Sequence, residues 1–240
     1  NNIFVQSADR SDDGCKSLSE RASSNIKTKD INEYAKEACE KWLDVRSFGQ
    51  VFAFKSKDSS GVSVGVRGPV SIHQGVSVSP IEIRSIQITK SVNGEPVKDG
   101  KDASARSSDT MGQKHFVQFG LYEIKGSINV QLAEKTGFSE EDADIIKECL
   151  RTLFLNNIHQ ALNTLFENDV SSARPDGSME IRRVYWWKHN CKDGQYSSSK
   201  VHRSVHVELK PDVNIPSSAD DYVISVDELP GLEPEIIEGV

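Results

Sequence analysis

The stretch that decides the fold is residues 64–88, VGVRGPVSIHQGVSVSPIEIRSIQI. Its central part alternates apolar and polar residues, which is the period-2 pattern of a strand with one buried and one polar face. The apolar members are Val70, Ile72, Val76 and Val78. The polar face carries small hydroxyls, a glycine and His73, with Gln74 at its centre, so the backbone of another chain can approach it closely. The alternative is a plain core strand with an undecorated outer side.

The elements around this stretch predict a mixed fold. A helix is expected over residues 30–43, because Asp30 and Glu33 form a helix start and apolar residues recur at helical spacing. A second helix, opened by S-E-E-D, is expected over residues 139–167. Strands are expected at 3–6, 50–55, 81–90, 115–132, 179–189, 204–209 and 222–226. Helices crossing to one side of a mostly antiparallel sheet are typical of an α+β ferredoxin-like domain.

Residues 91–114 are a long polar excursion, poor in apolar residues and rich in Gly, Asp, Ser and Lys. A segment of this length inside a compact domain is usually functional or mobile. Its one large apolar residue is Met111. We expect the excursion to project between two strands, with Met111 either acting as a wedge between bases or belonging to a disordered arm.

The composition is that of a globular protein. The chain has 240 residues, enough to bury a full core, and is 27% charged and 36% hydrophobic. No apolar run approaches the roughly 18 residues needed to span a bilayer. The four cysteines lie far apart with no C-x-x-C pair, which argues against a disulfide framework or a zinc ribbon. We therefore expect a cytoplasmic protein with reduced thiols.

The net charge of −7 hides a division along the chain. Residues 211–240 contain eight acidic residues and no Lys or Arg, so residues 1–210 hold 29 positive and 28 negative charges. Two segments of that body, 45–125 and 174–210, each carry four more positive than negative charges. They are expected either to form a groove for a polyanion, with the acidic tail lying away from it, or to be scattered solvated charges.

A metal site is one enzyme-like candidate. His189 and Cys191 lie near His202 and His206 in the sequence. Because His202 and His206 straddle a predicted loop-to-strand junction, the pairing of two histidines on one helix face is not expected. A metal-stabilised interaction domain is therefore an open but poorly supported alternative.

A histidine nuclease is the other candidate, with His73 and His115 acting as base and acid on an RNA 2′-hydroxyl. Nothing in the sequence pairs them or supplies a group to orient them, and a lone histidine on a strand is usually a hydrogen-bonding surface residue. The chain has no G-x-S-x-G, Walker-type or G-x-G-x-x-G motif. The sequence predicts no enzyme, with RNA cleavage on the same scaffold as the competing hypothesis.

RNA binding without regard to sequence is better supported. It requires cationic and polar groups against the phosphates and aromatic or apolar side chains against the bases. Candidates for the first are Arg46, Arg67, Gln74, Lys188, Lys200 and Arg203. Candidates for the second are Trp186, Trp187 and Met111. Since neighbouring strand residues face opposite sides, we expect one tryptophan to be buried and the other exposed.

Several segments together resemble one family. They are DVRSFGQVFAF (44–54), VRGPVSIHQGVSVSPIEIRS (66–85), RRVYWWKHN (182–190) and SSSKVHRS (197–204). From residue 1 to about 226 the chain resembles the backbone subunit of CRISPR type I Cascade complexes, most closely the type I-C form. The resemblance implies an RNA-recognition-like palm with a long inserted thumb, no catalytic activity, no cofactor, and assembly of many copies into a helical filament along the guide RNA.

The resemblance also implies a division of the chain and a set of partners. The palm would comprise residues 1–90 and 115–210, the thumb 91–114 and the acidic tail 211–240, with an N-terminal strand missing ahead of this chain's first residue. The partners would be guide RNA, the target DNA strand paired to it, further copies of the chain and other Cascade subunits, with no membrane. The predicted nucleic-acid contacts are Arg46, Ser47, Arg67, Gly68, His73, Gln74, Met111, Trp186, Lys188, Lys200 and Arg203.

Overall fold

The computed structural model describes residues 2–6, 11, 13–53, 63–89, 111–154 and 177–240. The chain divides into two compact units. Unit 1 consists of Asn1–Gln74, Ile124–His206 and Ser225–Val240, and unit 2 consists of Gly75–Glu123 and Val207–Ile224. The predicted α+β class is confirmed, and the mixture of helices with small antiparallel sheets is consistent with an RRM-like fold.

The described residues form helices and short, pairwise-bonded strands. The helices are α1 (Leu18–Asn25), α2 (Ile31–Lys41), α3 (Leu43–Phe48), α4 (Val130–Thr136), α5 (Glu140–Arg151) and α6 (Ser198–Arg203). The strands are β1 (Gly49–Ala53), β2 (Ser63–Arg67), β3 (Val70–Ile72), β4 (Val76–Ser77), β5 (Ile83–Thr89), β6 (Met111–Val117), β7 (Tyr122–Glu123), β8 (Gly126–Ile128), β9 (Arg183–Trp186), β10 (Val205–Leu209), β11 (Tyr222–Val226) and β12 (Glu235–Glu238). The pairs β1–β2, β3–β8, β4–β7, β5–β6 and β9–β12 are antiparallel, and β10 pairs with β11.

The first core of unit 1 packs α2 against β1 and β2. The Asp30 carboxylate caps α2 by accepting two backbone N–H groups of its first turn, each at 2.9 Å. The ring of Phe4 lies 4.7 Å from that of Trp42 and 5.1 Å from that of Phe52, measured between centroids. The predicted helix over residues 30–43 is confirmed, with an interruption at Trp42, where α2 ends and α3 follows.

The second core of unit 1 joins β3 to α5 through Val70, Phe138 and Ile146. Helix α5 begins with a capping box, in which the Ser139 hydroxyl accepts the Asp142 N–H at 3.2 Å and the Asp142 carboxylate accepts the Ser139 N–H at 3.0 Å. The predicted helix is confirmed as α5 up to Arg151. Residues 152–154 form a turn in which Phe154 has φ +77°, so the helix ends earlier than expected, and residues 155–167 lie outside the described residues.

Unit 2 is built on the seven-residue ladder between β5 and β6. The predicted strand over residues 81–90 is confirmed as β5, all of whose side chains are exposed. Tyr222 is buried at the start of β11, and its hydroxyl donates to Ser79 Oγ at 3.0 Å. Residues 91–110 of the predicted excursion lie outside the described residues, whereas residues 111–114 belong to β6.

The expectation of a single alternating strand through residues 70–79 is wrong. The stretch divides into β3 and β4, and the side chains of Ile72 and Val76 are exposed. Strand β3 follows its ladder with β8 for only three residues, and the chain enters unit 2 after Gln74, where β4 pairs with β7 instead. The apolar–polar alternation continues along the sequence from β3 to β4, although the two strands pair with different partners.

The expected long strand over residues 115–132 is also wrong. It divides into the end of β6, then β7 and β8, and its last residues belong to α4. The Asn129 side chain starts α4 by accepting the Leu132 N–H at 2.9 Å. An asparagine ahead of a helical turn was the signal against a continuing strand.

The C-terminal part holds two elements that the sequence did not predict. Helix α6 begins at a Ser197 cap, and β12 pairs with β9 inside the acidic tail. The acidic segment therefore lies against the strand that carries Trp186, one of the predicted RNA contacts, and not away from all of them. Across the described ranges, none of the helices has the length and apolarity to cross a bilayer.

Candidate nucleic-acid interface

Ser47, Gly49 and Gly68 form a close backbone contact between the end of α3 and the end of β2. A Cβ atom on Gly68 would collide with the Ser47 carbonyl oxygen, and one on Gly49 would lie 2.7 Å from the Gly68 nitrogen. Glycine is required at both positions for this approach. The structure brings the predicted contacts Ser47 and Gly68 together, but it buries both of them.

Arg67 ends β2 directly before this buried corner and is exposed. Across the ladder it pairs with Gly49, so it stands where α3 gives way to β1. In the described part of the chain its guanidinium has no carboxylate partner. Arg67 is therefore available to a phosphate.

Arg46, by contrast, is held by a carboxylate. Its Nε and Nη2 donate to the two oxygens of Asp142 at 2.8 and 2.7 Å, which ties α3 to α5. The two side chains are only 11% and 5% exposed. Burial raises the pKa of Asp142, but the hydrogen bonds from Arg46 and from the Ser139 N–H outweigh it, and the net pKa lies below its usual value.

The surroundings of this ion pair are acidic. A cleft of about 280 Å³ opens beside Arg46, and its lining includes the carboxylates of Glu40, Glu141 and Asp142. Negative charges near the guanidinium disfavour a phosphate chain. The RNA contact predicted for Arg46 stays a prediction, and the geometry assigns the side chain a bond within unit 1.

A histidine pair joins α6 to the end of β3. The rings of His73 and His202 meet edge to face, with centroids 5.6 Å apart. His202 Nε2 lies 2.9 Å from the Gly126 carbonyl oxygen, which can only accept, so this nitrogen carries the proton. The His73 backbone N–H donates to the Lys125 carbonyl oxygen at 2.7 Å. These contacts fix the approach of α6 to the β3–β8 pair.

Helix α6 presents cations beside this histidine pair. Lys200 and Arg203 are exposed and, among the residues that the structure describes, neither is paired with a carboxylate. Lys200 Nζ lies 4.3 Å from the centroid of the Tyr196 ring, a cation–π contact that holds the ammonium over the preceding loop. Gln74 follows His73 and is exposed as well. We call His73, Gln74, Lys200, His202 and Arg203 the α6–β3 surface.

Strand β9 places its predicted contacts differently. Trp186 and Trp187 are both half-buried, so the expectation of one buried and one exposed ring is not met. Trp187 packs against the buried cluster of Val201, Leu229 and Leu232. Lys147 Nζ lies 5.6 Å from the centroid of the Trp186 ring. Lys188 forms an exposed ion pair with Glu140 at 2.7 Å. These side chains already have partners in unit 1.

The remaining candidates have separate positions. Met111 begins β6 opposite Thr89 in unit 2, and its wedge role stays a prediction. His115 lies on the same strand, with Nδ1 2.7 Å from Ser85 Oγ. Neither His115 nor His73 contacts a carboxylate in the described ranges that would orient it as an acid or base.

The histidines of the candidate metal site are engaged elsewhere. His189 Nδ1 accepts the Gln195 N–H at 3.0 Å, His202 bonds the Gly126 carbonyl, and His206 Nε2 lies 2.9 Å from the Asp227 carboxylate. Among the described residues, no three His, Cys, Asp or Glu side chains form a group that could hold a metal ion.

Comparison with known families decides what kind of protein carries this surface. The chain matches the family model described as CRISPR-associated protein Cas7 over residues 1–227. It belongs to the Cas7 family. A search among curated proteins gave no match. Membership supports a backbone subunit that binds crRNA in a CRISPR effector complex, and it confirms the resemblance at the level of the family.

In this Cas7 chain the matched region contains every predicted contact, both the exposed ones and those that the fold buries. Sequence reasoning considered His202 only as a metal-ligand candidate and missed its link between α6 and β3, because a histidine at a predicted loop-to-strand junction gives no sign of its partner. The signal that could have found it is the basic run Lys200, His202 and Arg203 behind a serine cap, which is typical of the last turn of a short helix.

Proposed function

We propose that this Cas7 chain is a non-catalytic subunit that binds guide RNA without regard to sequence and repeats along it as the backbone of a type I-C-like Cascade complex. The proposal combines the family membership with the chemistry of unit 1. Its further partners would be the target DNA strand paired to the guide and the other subunits of the complex.

The observation that carries the proposal is the α6–β3 surface. It joins two cations, two imidazoles and an amide, and the described carboxylates leave its Lys200 and Arg203 unpaired. Such groups bind phosphate and ribose oxygens, which are the same at every nucleotide. Arg67 lies just ahead of β3 and His73 just behind it, so β3 connects a further cation to this surface.

The same geometry supports a binding role over a cleaving one. A histidine that acts as a general base is usually oriented by a hydrogen bond from its ring to a carboxylate. In the His73–His202 pair, His202 is held by a backbone carbonyl, and no described carboxylate contacts either ring. This absence among the described residues favours binding over proton transfer.

The direct test is binding of the full chain to two labelled RNAs of unrelated sequence at several salt concentrations. Lys200→Ala/Arg203→Ala should weaken both complexes alike, roughly tenfold at low salt. The slope of log affinity against log salt should fall by about 1.4, because each phosphate contact on a single strand contributes about 0.7.

The matched control is Lys29→Ala/Lys36→Ala, which removes the same charge from α2 and the segment before it. Both of these lysines are exposed. The control should change the slope by less than about 0.3. Three results would overturn the proposal. They are equal losses of RNA affinity in the two double variants, a loss of affinity for only one of the RNAs, and cleavage of either RNA that depends on His73.

A further inference from the structure

The segment after the family match forms one continuous structural piece. Residues 228–240, ELPGLEPEIIEGV, contain four carboxylates and no Lys or Arg, and the Cas7 match ends at residue 227. We call residues 228–240 the strap. It contacts α6 near its beginning and β9 near its end.

The beginning of the strap is a tight turn packed on α6. The Leu232 N–H donates to the Leu229 carbonyl at 2.8 Å, with Pro230 and Gly231 between them and Gly231 at φ +79°. Leu229 and Leu232 are buried and form one apolar cluster with Val201. Val201 is the buried residue of α6.

Side chains of the loop before α6 hold the same turn. Gln195 Nε2 donates to the Gly231 carbonyl at 2.6 Å, and the Tyr196 hydroxyl donates to the Pro230 carbonyl at 3.0 Å. Lys200 of α6 lies over the Tyr196 ring. A chain of direct contacts therefore leads from the turn, through the loop, to a cation of α6.

The end of the strap contains β12, which pairs antiparallel with β9. Glu235 lies opposite Trp186 in the ladder and its carboxylate binds Lys147 at 2.8 Å. Glu238 lies opposite Arg183 and binds its guanidinium at 2.7 Å. These two carboxylates therefore neutralise cations beside β9, whereas Lys200 and Arg203 on α6 keep their charges.

A six-residue helix does not stay folded by itself, because nucleation is costly and few bonds repay it. Besides the His202 contacts, the position of α6 therefore depends on what buries Val201, and the strap supplies the other two buried residues of that cluster, Leu229 and Leu232. We propose that the strap positions α6 so that Lys200, His202 and Arg203 meet RNA, while its carboxylates close the β9 side to RNA. This inference rests on the proposed function.

The test compares strap variants in the full chain by hydrogen exchange of α6 and by affinity for the same two labelled RNAs. Leu229→Ala/Leu232→Ala should speed exchange of α6 and weaken RNA binding about tenfold, alike for both sequences. The control Ile236→Ala removes an exposed apolar side chain from the same strap and should change affinity less than about twofold. In a Lys200→Ala/Arg203→Ala background the leucine changes should lower affinity by less than about twofold further, since only His202 of α6 is then left to contact RNA.

A milder variant covers the case in which loss of both leucines unfolds the chain. Gly231→Ala strains the left-handed turn without crowding, since the nearest atom to the new Cβ would be 3.5 Å away, and it should weaken RNA binding about threefold. Gly14→Ala is its control, with φ +72° and no atom within 4 Å, and should leave affinity unchanged.

The outcomes separate the two proposals. Faster α6 exchange with unchanged RNA affinity, while Lys200→Ala/Arg203→Ala still weakens binding, would overturn the strap's role and leave the proposed function standing. If the wild-type chain binds neither RNA, the proposed function fails and the inference fails with it. If Trp186→Ala weakens RNA binding as much as the α6 double variant does, the β9 side is open and the inference is wrong.

Discussion

The bond between Arg46 and Asp142 offers the sharpest test of how unit 1 is held together. Both side chains are nearly buried, and two hydrogen bonds of 2.7 and 2.8 Å join them. Removing one partner of a buried pair costs about 3–5 kcal/mol, because the other charge is left uncompensated. Asp142→Leu should cost about 1 kcal/mol more than Arg46→Leu, since it also removes the capping contact to Ser139.

The double variant Arg46→Leu/Asp142→Leu should recover most of this loss. Replacing both members of a buried pair by apolar residues is often neutral or stabilising. Because the capping contact to Ser139 is still lost, we expect the unfolding free energy of the double variant to be about 1–2 kcal/mol below that of the wild type. Urea unfolding followed by tryptophan fluorescence would measure the free energies of all four proteins. The coupling energy, which is the sum of the two single losses minus the loss of the double variant, should come out at about 5 kcal/mol or more. Additive single effects would refute the assignment of Arg46 to a structural bond.

The same four proteins decide whether Arg46 also contacts RNA. Because its guanidinium is already bidentate to Asp142, the folded double variant should bind unrelated RNAs within about twofold of the wild type. A loss of tenfold or more in a double variant of normal stability would show that the sequence-based prediction was right and that RNA displaces Asp142. The variant Lys36→Leu supplies a control for adding an apolar residue in place of an exposed cation.

Three further predictions concern stability and thiol chemistry. Hydrogen bonds from Arg21 hold the pKa of Asp13 far below its usual 3.8. The Asp13 carboxylate therefore contributes its full stabilisation above about pH 4, and the contribution is lost as the pH falls from there toward the lowered pKa. The urea midpoint should be level from pH 7 to about 5 and decline below about 4. Arg21→Met should cost about 2–3 kcal/mol in urea unfolding, because it leaves the buried Phe4 carbonyl, 2.9 Å from the guanidinium, and the partly exposed Asp13 carboxylate without their common donor. Native maleimide labelling read by mass spectrometry should modify the exposed Cys191 first and spare Cys39 and Cys149, since burial raises the pKa of both to about 11; equal rates would contradict this.

Elements with local signals were predictable from the sequence. The Asp30 cap and the Ser139 capping box mark α2 and α5, and β11 occupies residues 222–226 as expected. In these segments the information lies within a few residues: a side-chain oxygen that accepts the first N–H groups, followed by apolar residues at one spacing. Local chemistry of this kind needs no knowledge of the rest of the chain.

Partners distant in sequence were the part that sequence reasoning could not supply. Arg46 is visible as a cation after a helix, but Asp142, 96 residues later, is visible only as a helix cap. Likewise the alternation around Ile72 indicates a strand without saying which strand covers which face. The predicted site thus mixed exposed cations such as Arg67 and Lys200 with groups that the fold uses internally.

The acidic C-terminal part shows why the net charge of a chain is a poor predictor of nucleic-acid binding. Glu235 forms an ion pair with Lys147 at 2.8 Å, and Glu238 forms one with Arg183 at 2.7 Å. Charges paired at such distances act as local dipoles, whose field beyond a Debye length of about 8–10 Å is small. The field that a phosphate meets at α6 is therefore set by the unpaired groups nearest to it, and a protein of net charge −7 can still present a cationic surface to RNA.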